Sequence, residues 1–116
     1  MTGVQIWPNN MRYKGGWKDG KRDGRGLMIW PDQSQYLGDW KNDQQNGKGA
    51  QVWPNGRKYE GEMKDGKANG QGVYYYGDGK KYEGEHKDYL AHGYGVMIFP
   101  DGTKKAGQWL DDKFQG

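Results

Sequence analysis

The stretch YLGDWKNDQQNGKGAQVWPNGRK, residues 36–58, decides the fold because its pattern recurs along the chain. YKGGWKDGKRDGRGLMIWPDQSQ precedes it from Tyr13; YEGEMKDGKANGQGVYYYGDGKK follows from Tyr59 and YEGEHKDYLAHGYGVMIFPDGTK from Tyr82. The copies start 23 residues apart, with no insertion between them. A partial copy, KAGQWLDDKFQG, occupies 105–116, and GVQIWPNNMR, from Gly3 to Arg12, matches the second half of a copy. A fixed period of this length marks an array of small stacked units. The chain therefore reads as one domain, 1–116, with a half repeat at 1–12 and a partial repeat at 105–116. Full repeats lie between them at 13–35, 36–58, 59–81 and 82–104.

Each copy reads as two short strands and two turns. In the first strand, period-two alternation puts Tyr36, Gly38 and Trp40 on one face and Leu37 and Asp39 on the other. A glycine-rich turn is expected to close on Asp23-Gly24, Asn46-Gly47, Asn69-Gly70 and His92-Gly93, where glycine accepts positive φ. The second strand is LMIW, AQVW, VYYY or VMIF. It ends at Pro31-Asp32, Pro54-Asn55, Gly77-Asp78 or Pro100-Asp101, all strong turn signals. Glycine and proline interrupt every amphipathic window, so helix is not expected. The predicted fold is all-β, a tandem of 23-residue β-hairpins whose unit spans the proline-containing turn. Unpaired sheet edges would favour end-to-end self-association or a longer assembly. Tyr89 stands at a step where other copies carry Gly or Asp. A left-handed backbone is costly for tyrosine, so its turn is expected to differ in shape.

Composition agrees with an ordered but thin structure. Hydrophobic residues make up only 32% of the chain and glycine 22 of 116 residues, a profile typical of disorder. Six Trp and nine Tyr outweigh that profile, because each aromatic ring buries a large area. The net charge of +3, from 18 basic and 15 acidic residues, is too small and too mixed to indicate nucleic-acid binding. The absence of cysteine excludes disulfides and thiolate metal sites. Residues Met1 to Gln5 show no signal-peptide pattern, and no run approaches the roughly 20 apolar residues of a membrane span. A soluble cytoplasmic protein is the expectation.

Candidate functional residues fall into two groups. Tyr36, Trp40, Tyr59 and Tyr82 recur on one strand face as candidate core. The second-strand rings Trp30, Trp53, Tyr76 and Phe99 form another row, which a single-layer sheet would offer to solvent or a partner. Together the two rows are the candidate partner-binding residues. Basic residues Arg57, Lys58, Lys80, Lys81, Lys104 and Lys105 cluster at the proline-turn end, where stacking would align them into a ridge for anionic phospholipid. Nearby Glu60, Glu62, Glu83 and Glu85 would neutralise much of that field. No serine or cysteine nucleophile has a histidine and an acid in a recognisable arrangement, so no catalysis is expected. His86 and His92 alone do not make a metal site, and no cofactor is expected.

The pattern Tyr-x-Gly-x-Trp-x-x-Gly-x-x-x-Gly-x-Gly, met most fully at Tyr13, Gly15, Trp17, Gly20, Gly24 and Gly26, resembles the membrane occupation and recognition nexus (MORN) repeat. The resemblance implies an elongated, twisted antiparallel sheet with an aromatic-lined concave groove. It also implies a non-catalytic scaffold or adaptor that grips a helical or extended protein segment. Ciliary, cytoskeletal and other large assemblies are settings that the resemblance suggests. Its alternative is a peripheral membrane module binding anionic phospholipids. Met63 and His86 depart from the pattern at the tryptophan step, and Asp43, Tyr89 and Asp112 at the first turn glycine.

Overall fold

The computed structural model describes all residues, 1–116. It contains strands β1 (Thr2–Ile6), β2 (Arg12–Lys18), β3 (Lys21–Ile29), β4 (Gln35–Lys41), β5 (Gln44–Val52) and β6 (Lys58–Lys64). These are followed by β7 (Lys67–Tyr75), β8 (Lys81–Lys87), β9 (Leu90–Ile98), β10 (Lys104–Leu110) and β11 (Lys113–Phe114). They form one open antiparallel sheet in strict chain order, with no helix. Ten inter-strand steps of about 4.8 Å predict a length of about 48 Å. The longest extent of the molecule is 46 Å, so the repeats stack along that axis.

Two turn types alternate. The tight hairpins close on Asp19-Gly20, Asn42-Asp43, Asp65-Gly66, Asp88-Tyr89 and Asp111-Asp112, and both residues of each pair have positive φ. That is the primed two-residue turn, whose twist matches the strands it joins. The structure thus corrects the expected turn at Asp23-Gly24 and its counterparts. Those residues lie inside nine-residue strands, where Gly16 stands opposite the stretch Asp23, Gly24 and Arg25 in a β-bulge. The bulge needs positive φ, 91° at Gly24 and 109° at Gly47, so the glycine signal was real but belonged to a strand. Tyr89 is a second correction. It adopts φ 69°, close to the 70° of Asp43, and its turn has the same shape as the others.

The turns also lock neighbouring repeats together. The backbone N–H groups of Asp43, Gly66, Tyr89 and Asp112 donate to the carbonyls of Arg22, Gln45, Ala68 and Ala91, each one repeat earlier. Where the turn residue is Asp, its side chain accepts in return. Asp43 Oδ1 takes the Arg22 backbone N–H at 2.7 Å and Asp112 Oδ1 that of Ala91 at 2.7 Å. The other turn type follows the second-strand ring. In Trp30-Pro31-Asp32-Gln33 the Gln33 N–H donates to the Trp30 carbonyl, and Asp32 Oδ1 accepts from the Ser34 N–H.

The core is one side chain thick. A continuous row of glycines crosses the sheet in register: Gly3, Gly15, Gly26, Gly38, Gly49, Gly61, Gly72, Gly84, Gly95 and Gly107. Tyr13, Tyr36, Tyr59 and Tyr82, all fully buried, lie down over this row. A Cβ on Gly49 would stand 2.2 Å from the Tyr36 hydroxyl and 2.4 Å from its ring, so only glycine leaves room for the tyrosine. Each hydroxyl donates to the carbonyl three residues ahead, Tyr59 to Glu62 at 2.8 Å and Tyr82 to Glu85 at 3.1 Å. Trp40 wedges edge-on between Tyr13 and Tyr36, with both centroid distances 5.4 Å, and its indole N–H donates to Gly26 O. Each such edge-to-face pair stabilises the fold by about 0.5–1.5 kcal/mol beyond its buried area. His86 fills the same wedge between Tyr59 and Tyr82, at 5.0 and 5.1 Å.

Candidate functional site

Both aromatic rows lie on one face of the sheet. Tyr36 pairs with Gln51, and Trp53, two residues beyond Gln51, shares its side of the sheet. The expectation that the second-strand rings form a row apart from the core is therefore revised: Trp30, Trp53, Tyr76 and Phe99 are half-buried and pack against the buried rings. Tyr36, Tyr59 and Tyr82 have no exposed surface and Trp40 only 5%, so they form the floor on which the second row stands. The opposite face carries aliphatic and charged residues and the Tyr75 ring. Of its apolar members, Val4, Ile6, Leu37 and Val52 are exposed.

Clefts open on either side of Trp53. One, of about 520 Å³, lies between Trp30 and Trp53; its floor is Ser34, Gln45 and Gln51, and Tyr89 stands at its side. Gln45 and Gln51 are buried and join through an amide hydrogen bond of 3.3 Å. The second cleft, of about 500 Å³, is lined by Trp53, Asn55, Arg57, Tyr74 and Tyr89. The Tyr89 ring meets Trp53 at 5.5 Å and Tyr59 at 5.8 Å, contacts that offset its left-handed backbone. Sequence reasoning missed Ser34, Gln45, Gln51 and Tyr89 as site residues. Their signal was departure from the other full copies: Gln51 stands where those have Met28, Tyr74 and Met97, and Gln45 where they have Arg22, Ala68 and Ala91. Burial raises the phenol pKa of Tyr89 to about 12, so its hydroxyl stays protonated.

The basic residues do not form one ridge. Arg57 and Lys80 sit on the aromatic face, both over the Tyr76 ring, at 5.7 and 4.6 Å from its centroid. Lys58, Lys81 and Lys104 point to the other face, where Lys58 pairs with Glu60 at 2.5 Å and Lys81 with Glu83 at 3.0 Å. Lys105 lies 5.2 Å over Phe114. Glu62 and Glu85 serve the fold. They accept the bulge N–H groups of Gln71 at 2.7 Å and Tyr94 at 2.8 Å. No helix of the structure is long and apolar enough to cross a membrane.

A single-layer sheet of 23-residue hairpins, with tyrosines laid over a glycine row, defines a class of tandem-repeat β protein. The family model described as MORN repeat matches residues 13–35, 36–56, 59–81 and 82–104. The chain belongs to the MORN-repeat family, whose repeats are in general non-catalytic. No curated protein matches the chain.

Proposed function

We propose that the protein is a non-catalytic adaptor that holds a helical or extended segment of a partner protein against its aromatic face. The observation that supports this reading is the row of half-buried rings with open clefts on both sides of Trp53. Regular ring spacing suits a segment that presents apolar residues at regular intervals. The membrane alternative has weaker support, because Lys58 and Lys81 are spent on Glu60 and Glu83 and the remaining cations divide between two faces.

The test begins with cross-linking capture to identify a partner, followed by affinity measurements on variants first shown to be folded. Trp53→Ala removes the ring between the clefts and should weaken binding by about 2 kcal/mol or more, roughly thirtyfold. The pair Lys81→Ala and Lys104→Ala, on the opposite face, should change it little at physiological salt. The reverse ranking, together with salt-sensitive binding to anionic liposomes, would replace the groove reading with the membrane one.

A further inference from the structure

We infer that the cleft between Trp30 and Trp53 receives an arginine side chain from the bound partner segment. This rests on the groove reading and adds the chemistry of its anchor. The fold already shows what such a ring accepts. Arg57 lies over Tyr76 and Arg22 over Trp40, the latter at 4.8 Å, so guanidinium groups of the chain itself cover two of the rings on this face. Ser34 is the counterpart of Arg57 one repeat earlier, and Trp53 is the counterpart of Tyr76. The step that Arg57 and Lys80 fill in the next two copies is held at this cleft by Ser34, a small buried residue with a hydroxyl in place of the cation.

The lining has the complementary charge. Asp32 stands at the cleft where the neighbouring cleft has Asn55, and no basic residue lines it. The one hydrogen bond between the floor amides runs from Gln45 Nε2 to Gln51 Oε1, which leaves the Gln45 carbonyl oxygen free to accept. An arginine supplies a flat cation for the indole faces and several N–H donors for the carboxylate and amide oxygens. A lysine ammonium is more strongly hydrated and stacks less well on an indole.

The test is a titration of the ¹⁵N-labelled protein with N-acetyl-arginine amide, followed through the indole N–H signals of Trp30 and Trp53 and the side-chain amides of Gln45 and Gln51. Parallel titrations use N-acetyl-citrulline amide, the neutral isostere, and tetramethylammonium. Saturable shifts confined to these four residues are expected, with citrulline weaker by about tenfold, or 1.4 kcal/mol. Ser34→Arg, which copies the next repeat, should fill the cleft in cis and abolish the shifts. Asp32→Asn, which copies Asn55, should weaken them severalfold. Equal binding of citrulline, tighter binding of tetramethylammonium, or full binding by either variant would overturn the inference. If arginine fails to bind while Trp53→Ala still releases a captured partner, the anchor is wrong and the groove stands.

Discussion

Gly49→Ala tests the physical basis of the core most directly. The new Cβ would lie 2.2 Å from the Tyr36 hydroxyl and 2.4 and 2.5 Å from its ring carbons, far inside ordinary contact. The ring must lift off the sheet. Lifting it strains the hydrogen bond to the Asp39 carbonyl and the edge contact with Trp40. One hydrogen bond contributes about 1 kcal/mol and one aromatic pair about 0.5–1.5 kcal/mol. Partial exposure of a fully buried ring adds about 1 kcal/mol more. Alanine returns about 0.4–1 kcal/mol by restricting the unfolded chain. The net loss is about 2–3 kcal/mol, or a fall of roughly 10 °C in the thermal midpoint at about 4 °C per kcal/mol. Gly20→Ala is the control, since nothing lies within 4 Å of its Cβ position and only its φ of 79° is strained; it should cost about 1–2 kcal/mol. In a Tyr36→Ala background, Gly49→Ala should cost almost nothing, because the contact it destroys has already gone. The measurement is thermal and urea unfolding followed by tryptophan fluorescence. A Gly49→Ala midpoint within a degree of the parent, or additive losses in the double variant, would refute the reasoning.

Further outcomes follow from single residues. Burial lowers the pKa of His86 below its ordinary 6.5, opposed by its bond to the Gly84 carbonyl and the charge of Asp112. The unfolded chain therefore takes up the proton first, so stability should fall as pH drops below 6.5 and level off below the folded pKa. His86→Trp should remove that dependence in thermal scans between pH 7 and 4.5. Asp43→Gly keeps the turn but deletes the acceptor of the Arg22 N–H, and urea unfolding should show a loss of about 1–2 kcal/mol. Tyr89→Gly relieves a left-handed backbone yet removes the contacts with Trp53 and Tyr59, so calorimetry should show net destabilisation of about 1–2 kcal/mol.

The array and its all-β character were legible in the sequence because a 23-residue period and alternating Tyr-x-Gly-x-Trp leave few alternatives. The turns were less legible. Asn46-Gly47 carries the strongest short hairpin signal in its repeat, yet the chain turns at Asn42-Asp43 and spends the glycine on a bulge. Local propensity cannot distinguish the two uses of positive φ; the bond from the Lys48 N–H to the Asp39 carboxylate, across the strand pair, helps fix the bulge. The site was half legible. Trp30 and Trp53 stand out as rings, whereas the floor at Gln45 and Gln51 depends on strand register that only the folded sheet supplies.

The constant repeat length sets a problem of alignment. Shifting a bound segment by one repeat moves it about 9.6 Å, two strand steps, and on a perfectly uniform array that displaced pose would be isoenergetic. A uniform track would hold its cargo without fixing where along the track it sits. The irregular positions break this translational degeneracy. Ser34, Gln45, Met63, His86 and Tyr89 each occur at one step of one copy and are not repeated in the others. They act as graduations on a ruler: a segment matched to the cleft at Trp53 meets different chemistry one notch away in either direction.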